Sequence, residues 1–358
     1  MRWLALESSC DETALAVWDT DQRKILYEQV LSQMEAHAAY GGVVPGIAIR
    51  EHLKGFPILL EKMQPSFDIS TIDAIGVTHG PGLIGCLGMG VAYAQSLQLL
   101  YQCPLYGVNH LHGHALSPFL HSFETDLAFT FEAVCPHLGL LVSGGNTLLF
   151  EMRCKKVMDG EPAEAGLPAG VFTKTKLKFH VWAKTVDDAA GEALDKGARL
   201  LGFPYPGGPL MERCASTGDA NFVQFPRAFS QKSEMKFSFS GLKTSLRYFL
   251  EKLPAEAMEK KKPSICASYQ AAVVDALVQK LQAVYEQGNF RSLGVSGGVS
   301  NNGLLREQLQ AFADRKKVPL FLPPKGEGGD NAAMIAFTAP FLAKPLQLNP
   351  NRTLDEEG

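Results

Sequence analysis

Apolar residues along the chain fall into short runs that predict strands and helices in alternation. Three runs rich in aliphatic, aromatic and β-branched residues open the chain, separated by short polar turns, and these predict strands: RWLALES (2–8), TALAVWD (13–19) and KILYEQV (24–30). The segments PGIAIREHLKGFPILLEKM (45–63) and LIGCLGMGVAYAQSLQLLY (83–101) then show helical spacing. Strands that alternate with helices predict an α/β architecture.

The second half of the chain repeats the pattern with which the first half opens. The segment HLGLLVSGGNTLLFEMR (137–153) reads as a strand, a glycine turn and a second strand, and it resembles LALESSCDETALAVW (4–18) in pattern. This similarity indicates two related lobes. Further helices are predicted over 187–202, beginning near Asp187, and over 264–287.

The composition is that of an ordinary globular protein with more than one core. A chain of 358 residues is too long for a single core, and 46% hydrophobic with 20% charged residues excludes the disordered and fibrous classes. Apolar runs never reach the length of about 18 residues that a membrane span needs. Seven scattered cysteines without a CxxC pair, and acidic residues close to the N-terminus, predict a cytoplasmic protein.

The net charge of −3 gives no general attraction to nucleic acid, so a polyanionic partner would have to bind local basic patches. Two patches occur, TKTKLKFHVWAK (173–184) and EKKKP (259–263). The first alternates as an exposed strand would, within a Pro-, Gly- and Lys-rich segment (156–184) that is expected to be a hairpin insertion. The second is typical of a solvated surface. The tail from Asn349 is expected to fray.

Three of the nine histidines lie within the stretch VNHLHGHALSP (108–118). On a helix His110 and His114 share one face and could bind one ion, whereas His112 projects elsewhere. Imidazoles at this spacing suit Zn or Fe(II), but a helix that is merely rich in histidine has the same pattern. Leu111 occupies the position at which the HExxH motif of metallopeptidases carries its catalytic Glu, which argues against that activity.

A third metal ligand would have to come from far along the chain. Asp330 follows a glycine turn in PPKGEGGDNAAMIAF (323–337) and opens a predicted helix, so its carboxylate could ligate an ion. It could equally cap the helix by accepting the first amide protons. Both interpretations are open at this level.

Four glycine turns follow predicted strands or precede helices, and two of them contain Ser-Gly-Gly. Consecutive amides in such turns form anion-binding nests, so the set indicates a nucleotide held in a cleft between lobes. The turns are GPGLIG (80–85), VSGGNT (142–147), YPGGPL (205–210) and VSGGVSNN (295–302). None matches a P-loop or GxGxxG motif.

The predicted helix over 187–202 carries Asp188, Glu192 and Asp195 at helical spacing. This pattern fits a solvated acidic face. It also fits a helix whose small Ala residues pack closely and leave Asp195 facing a cleft, and Asp187 and Asp188 would lie in its favourable first turn.

Nine blocks occur in the order in which they occur in the TsaD family, and together they span Leu4 to about Ala343. The chain therefore resembles the tRNA N6-adenosine threonylcarbamoyltransferases. The blocks are ESSCDETALAV, AAYGGVVPGIAIREH, GPGLIGCLGMG, NHLHGHALSP, LVSGGNTLL, DDAAGEALDKGARLLGFPYPGGP, FSFSGLKT, SGGVSNNGLLR and GDNAAMIA.

The resemblance implies an α/β fold of two duplicated mixed-sheet lobes, like that of actin, sugar kinases and chaperone ATPases (the ASKHA class). The lobes would comprise 1–130 and 131–330, with the insertion near 156–184 in the second. A C-terminal helix over 331–345 would pack back on the first lobe.

The resemblance also implies the site and the reaction. His110, His114 and Asp330 would bind one divalent ion, Fe2+ or Zn2+. The threonylcarbamoyl group of threonylcarbamoyl-AMP would be transferred to N6 of adenosine 37 in tRNAs that read codons beginning with A. Substrate contacts would come from Leu141, Val142, Ser143, Gly144, Gly145, Asp195, Gly208 and Asn302, while Asp11, Glu12 and Asn146 would face the same cleft.

Implied partners are tRNA, a TsaB-like paralogue and a TsaE-like ATPase, with docking helices over 45–63 and 83–101. Three positions depart from the family pattern: Asn146 replaces a usual His, His112 a frequent Glu or Asp, and Gly303 a larger or basic residue. The alternative functions are an ATP-hydrolysing or small-molecule kinase of the ASKHA class and a non-catalytic paralogue that scaffolds partners.

Overall fold

The structure is a computed structural model, and it describes residues 1–156, 175–231 and 233–355. Most of the hairpin insertion predicted near 156–184 lies outside the described residues.

These residues form two compact units. The first falls within Met1–Cys135, Met152–His180 and Asp330–Gly358, and the second within Pro136–Glu151 and Val181–Gly329. The described part of 152–180 thus groups with the first unit, whereas the resemblance implied a second lobe that includes it. Residues after Gly329 rejoin the unit in which the chain begins, so Asp330 belongs to the same unit as His110 and His114.

The regular elements alternate much as the apolar pattern predicts. The strands are β1 (Arg2–Glu7), β2 (Glu12–Asp19), β3 (Lys24–Ser32), β4 (Ala74–Gly80), β5 (Leu105–Asn109), β6 (His137–Val142), β7 (Thr147–Lys156), β8 (Thr175–Thr185), β9 (Lys236–Phe237), β10 (Ser292–Ser296), β11 (Leu320–Phe321) and β12 (Lys344–Pro345). The helices are α1 (Met34–Ala38), α2 (Pro45–Met63), α3 (Ile84–Tyr101), α4 (His110–Leu116), α5 (Leu120–Thr125), α6 (Phe131–Val134), α7 (Ala190–Leu200), α8 (Gly208–Ala215), α9 (Ser240–Glu251), α10 (Ala255–Tyr285), α11 (Gly303–Lys316) and α12 (Ala332–Leu342).

One six-stranded sheet has the order β12-β5-β4-β1-β2-β3. Strand β1 pairs in parallel with β4 and antiparallel with β2, and β4 pairs in parallel with β5. Every residue of β1 after Arg2 is buried, which explains why its sequence is apolar almost throughout. The C-terminal ends of β1, β4 and β5 therefore meet at one edge, where Glu7, Gly80 and Asn109 lie.

A second six-stranded sheet has the order β11-β10-β6-β7-β8-β9. Strand β10 pairs in parallel with both β6 and β11. The neighbour order β3-β2-β1-β4-β5 of the first sheet thus matches β8-β7-β6-β10-β11 of the second. The duplication that the sequence predicts is confirmed.

Helix α12 lies at the centre of the first unit. Its residues from Ala332 to Pro340 are all buried, and it packs against β1, β2 and α4. A helix that is apolar on every side is stable only in such a position. Its N-terminus carries the preceding residue pair, Asp330 and Asn331, towards α4. None of the helices in the described ranges combines the length and the hydropathy that a bilayer crossing requires.

Two expectations are wrong. Helix α10 begins at Ala255 instead of close to Ser264, so Pro263 lies inside it. The EKKKP stretch does lie at the surface as predicted, with Lys260 and Lys261 exposed, and Lys261 Nζ lies 4.4 Å from the ring centroid of Phe222. The tail does not fray over its described residues, because Leu354 is only 1% exposed.

Candidate functional site

Helix α4 places two histidines on one face, as the spacing predicts. Asn109 ends β5 and caps the helix, since its Oδ1 accepts a hydrogen bond from Leu111 N at 2.8 Å. The His110 and His114 rings then lie one turn apart, with centroids separated by 4.7 Å. All seven residues of α4 are buried. His112 points away from this pair and contacts the Leu354 carbonyl at 2.9 Å.

The carboxylate of Asp330 meets both rings. Its Oδ1 lies 2.9 Å from His114 Nε2 and 3.6 Å from His110 Nε2. Ligand atoms about 2.1 Å from one tetrahedral ion are about 3.4 Å apart, so these separations suit a single cation. The three ligand atoms lie within 4.8 Å of one another. A group of His110, His114 and Asp330 could therefore hold a metal ion.

The helix-capping interpretation of Asp330 is wrong. The N-cap of α12 is Asn331, whose Oδ1 accepts a hydrogen bond from Met334 N at 2.8 Å. This leaves the neighbouring carboxylate of Asp330 for the histidines. Asn331 thus caps the helix and Asp330 contacts the histidines, so the two roles that the sequence left open for Asp330 belong to adjacent residues.

Glu7 supports the site from behind, and sequence reasoning missed it. Its Oε2 lies 3.1 Å from His110 Nδ1 and accepts a hydrogen bond from Thr78 Oγ1 at 2.5 Å. Its Oε1 accepts one from Ser9 N at 2.6 Å, and its side chain is fully buried. A carboxylate on the far nitrogen of a ligating imidazole fixes the ring and its tautomer. The sequence signal was a charged residue at the end of an otherwise apolar strand.

The site is arranged to hold positive charge. Burial opposes the charged form of Glu7 and of Asp330, but the His110 imidazole outweighs it and lowers the pKa of both carboxyls. Burial likewise opposes protonation of His110, and the carboxylates of Asp330 and Glu7 outweigh it and raise its pKa to about 9. A proton on His110 thus balances the negative charge of these carboxylates, as a bound metal cation would.

Asp11 and Glu12 add two acidic side chains nearby, and Glu12 is held in its neutral form. Burial, followed by the charges of Asp330 and Asp11, raises the pKa of Glu12 to about 10. The structure thus brings the acidic loop that follows β1 into the electrostatic neighbourhood of the Asp330 carboxylate.

The second unit holds the Ser-Gly-Gly turn that follows β6. Leu141 and Val142 are fully buried, so only their backbone can contact a ligand. Ser143 N donates to Asn146 O at 2.8 Å and Ser143 Oγ accepts from Asn146 N at 3.0 Å, which closes the turn. An added Cβ on Gly144 or Gly145 would meet no atom within 4 Å, so the turn is open on that side.

The second Ser-Gly-Gly turn lies beside the first, because β6 and β10 are parallel neighbours. Gly297 has a φ of +84°, and a Cβ there would lie 2.3 Å from Val142 O. Only glycine fits this approach. A Cβ on Gly298 would again meet nothing within 4 Å. Two glycine-lined turns therefore present backbone amides at one edge of the sheet.

Helix α7 begins at Ala190, and the prediction that it begins near Asp187 is wrong. Ala190 N donates to Thr147 Oγ1 at 2.8 Å, so a hydroxyl on β7 sets the helix start. Asp187 instead accepts hydrogen bonds from Phe239 N at 2.8 Å and from the Ser240 hydroxyl at 2.7 Å, at the start of α9.

The acidic residues that the sequence placed on helix α7 divide between both interpretations. Asp188 and Glu192 each lie 2.8 Å from Lys196 Nζ, as on a solvated face. Asp195 Oδ1 accepts hydrogen bonds from Gly207 N and Gly208 N, both at 2.9 Å. Burial raises the pKa of Asp195, although the two hydrogen bonds favour the charged carboxylate and act in the opposite direction. Asp195 and Gly208, predicted as separate substrate contacts, are thus hydrogen-bonded to each other.

The side chain of Asn302 is engaged within the protein. Its Oδ1 caps α11 by accepting from Leu305 N at 3.1 Å, and its Nδ2 donates to Gln270 Oε1 at 3.2 Å. Gly303 N donates to Glu212 Oε1 at 2.7 Å, and an added Cβ would lie 3.1 Å from that oxygen. A residue larger than glycine would require the end of the Glu212 side chain to shift by a few tenths of an ångström.

The model of the TsaD family, described as tRNA N6-adenosine threonylcarbamoyltransferase, matches residues 24–165 and 166–337. Proteins with that name are similar over nearly the whole chain. The Dichelobacter nodosus protein is 39% identical, with 97% of this chain and 92% of that protein covered. The Trichlorobacter lovleyi protein is 42% identical, with 93% and 89% covered. The Thermotoga neapolitana protein is 37% identical, with 99% of both covered.

Solved structures with low identity share the fold. T. kodakarensis HypF has a TM-score of 0.56 at 13% identity, covering 94% of this chain and 47% of HypF. Component A of (R)-2-hydroxyglutaryl-CoA dehydratase from Acidaminococcus fermentans has a TM-score of 0.51 at 12% identity, covering 95% and 98%. The predicted α/β fold of the ASKHA class is confirmed.

Proposed function

The chain belongs to the TsaD family of tRNA N6-adenosine threonylcarbamoyltransferases, and we propose that it transfers the threonylcarbamoyl group of threonylcarbamoyl-AMP to N6 of adenosine 37 in tRNAs that read codons beginning with A. The observation that carries this proposal is the convergence of His110, His114 and Asp330, from two distant segments, on one point. A catalytic family member needs such a centre, and a scaffold does not.

His110, His114 and Asp330 would hold Fe2+ or Zn2+, both of which accept imidazole and carboxylate ligands. When bound, such an ion supplies Lewis acidity towards the carbonyl or carboxylate of the substrate. The protein fixes the ligands beforehand. Glu7 holds the His110 ring through Nδ1 and leaves Nε2 for the ion, and Asp330 remains a carboxylate because the imidazoles favour its charged form.

The two Ser-Gly-Gly turns of the second unit would bind the phosphate of the AMP group. Backbone amides in such turns attract anions, and Gly144, Gly145 and Gly298 are open on the side where a Cβ would project. A bond forms between N6 of adenosine and the carbamoyl carbon. The bond between that carbon and the phosphate oxygen breaks, which releases AMP. Amides that stabilise the phosphate therefore favour the leaving group.

Positioning should dominate the rate. The exocyclic amine of adenine is a weak nucleophile, so holding it against the carbamoyl carbon contributes more than a strong base would. Asp195 stiffens the loop before α8 through Gly207 and Gly208, and Asn302 fixes the start of α11. Both residues would act by shaping the backbone around the substrate, and Asn146 would do so by closing the first turn.

The partners would be tRNA, a TsaB-like paralogue and a TsaE-like ATPase, and a tRNA substrate would place the protein in the cytoplasm. Helices α2 and α3 carry exposed large apolar residues that fit a docking surface, namely Leu53, Ile58, Ile84, Leu99 and Leu100. The exposed lysines of β8, Lys178 and Lys184, would contact the tRNA backbone and compensate for the net charge of −3.

The test is in vitro modification of a tRNA that reads such codons, with the partner proteins, ATP and threonylcarbamoyl-AMP as the donor. Mass spectrometry of the digested tRNA measures the modified nucleoside. His110→Ala and Asp330→Asn should abolish both bound metal and modification, and His121→Ala, which changes an exposed histidine of α5, should leave both intact. Full modification by metal-free His110→Ala protein would refute the proposal. Phosphoryl transfer to a small sugar without tRNA would favour the kinase alternative.

A further inference from the structure

The described C-terminal tail crosses the edge of the first sheet at which the metal ligands are held. We call residues 349–354 the strap. Asn349 N donates to His79 O at 2.9 Å, and Gly82 N donates to Pro350 O at 3.3 Å. Leu354 anchors its end, at 1% exposure. The strap is thus bonded on both sides of the turn that joins β4 to α3.

The strap lies directly on that turn. Gly80 has a φ of +144°, and a Cβ there would lie 1.7 Å from Asn349 O. Glycine is required because the strap occupies the space of a side chain. This contact places the strap in a fixed path, which a frayed tail would not follow.

Two side chains of the metal-binding segment reach the strap. Asn109 Nδ2 donates to Thr353 O at 2.9 Å, while Oδ1 of the same amide caps α4. His112 Nε2 donates to Leu354 O at 2.9 Å, and the His112 ring stacks on Phe179 at a centroid distance of 4.8 Å. The strap therefore bonds the residue before the first ligand and the residue between the two ligands.

We propose that the strap is a positioning element for the metal centre, which holds α4 through Asn109 and His112 so that the rings of His110 and His114 face Asp330. This inference rests on the proposed function of these three residues as metal ligands.

The shortness of α4 makes such support necessary. A helix of seven residues has little stability of its own, so its contacts decide where its side chains point. On one side Gly113 packs on α12, where an added Cβ would lie 2.8 Å from Ile335 Cδ1. The strap provides support through other residues of α4. Asp330 lies just before α12, and the strap follows α12 along the chain. One C-terminal segment therefore supplies the third ligand and supports the other two.

His112 holds α4 on the strap through a hydrogen bond that its ring donates. An imidazole can donate a hydrogen bond to a carbonyl, whereas a carboxylate at this position could not. His112 Nε2 lies 2.9 Å from the Leu354 carbonyl oxygen, which can only accept, so the ring carries its proton on Nε2.

The test measures metal binding, separately from activity. Full-length protein is loaded with one equivalent of Zn2+, and the rate at which a chelator removes the ion is followed. Asn109→Ser keeps a helix-capping oxygen and loses the amide donor. Ending the chain at Leu348 removes the strap, and the matched control ends at Asp355. We expect roughly 10- to 100-fold faster zinc loss for the chain that ends at Leu348, a smaller increase for Asn109→Ser, and wild-type behaviour for the control.

The outcomes separate this inference from the proposed function. If wild-type protein binds neither Zn2+ nor Fe2+, both fail. If it binds zinc and both strap variants release it at the wild-type rate, the strap has no positioning role and the metal site stands. A lower melting temperature of metal-free Asn109→Ser protein with unchanged zinc release would show a merely structural role. A His112→Gln variant, whose amide can still donate, should release zinc more slowly than His112→Leu.

Discussion

Glu7 Oε2 and His110 Nδ1 lie 3.1 Å apart, although 103 residues separate them along the chain. Strand β1 ends with Glu7 at the edge where its neighbour β4 and the next strand β5 also end, and the helix that follows β5 begins with His110. The parallel pairing of these strands therefore creates the contact. Ser9 N and Thr78 Oγ1 hold the two oxygens of Glu7, so the carboxylate cannot turn away from the ring.

Glu7→Gln should weaken zinc binding by roughly 10- to 100-fold, because the amide keeps the shape of the side chain and loses the charge that orients His110. Competition with a fluorescent chelator measures the affinity. Glu35→Gln, which changes an exposed carboxylate of α1, is the control. Zinc affinity equal to wild type in Glu7→Gln would show that this carboxylate does not support the ligand.

Variants at Asp330 and at Asn331 should affect metal binding and helix stability separately. Asp330→Asn removes a ligand charge and should abolish tight zinc binding. Asn331→Ala removes the cap of α12 and should cost about 1 kcal/mol of unfolding free energy while zinc binding remains. Urea unfolding of the metal-free proteins and zinc titration measure the two effects. Loss of zinc binding in Asn331→Ala alone would contradict this division.

Local pattern was enough to predict the elements that depend on their own residues. Helix α2 runs from Pro45 to Met63 as the spacing predicts, since proline suits a first helical turn and the apolar face is continuous. The spacing of His110 and His114 likewise decides that they share a face. The duplicated strand order follows from two similar strand-turn-strand patterns.

Features set by contacts between distant residues could not be predicted from the sequence. Thr147 determines where α7 begins, and the carboxylate of Asp187 goes to α9 instead of its own helix. Whether Asp330 or Asn331 caps α12 depends on which residue has the extended backbone that directly precedes the helix, and this residue is Asn331. The residues already offered Asp330 as a ligand or a cap, and the resemblance to a family favoured the ligand, but it gave no indication of Glu7 or of the strap.

His137 should make stability depend on pH. Burial lowers its pKa from 6.5 to about 3, so the folded state keeps the ring neutral while the unfolded state takes up a proton below pH 6.5. Stability therefore falls as the pH falls below 6.5. Between pH 7 and pH 5.5 the wild type should lose roughly 1 kcal/mol more than His137→Phe, which cannot bind that proton. Urea unfolding at both pH values tests this. Parallel losses in the two proteins would contradict it.

The exposed lysines of β8 should act through phosphate contacts with tRNA. Lys178 and Lys184 lie on the exposed face of the strand, whereas Leu177 and Ala183 face inward. Replacing both lysines with alanine should weaken tRNA binding and lower the slope of log affinity against log salt by roughly 1 per lysine.

The matched control for the β8 lysines replaces exposed Lys24 and Lys252, which lie on β3 and after α9. It changes the net charge by the same amount, so a general effect of charge would appear in both double variants. Binding curves at several salt concentrations distinguish the cases. Because a lost phosphate contact must change the salt slope, weaker binding with an unchanged slope would mean that the lysines shape the strand and do not touch the tRNA backbone.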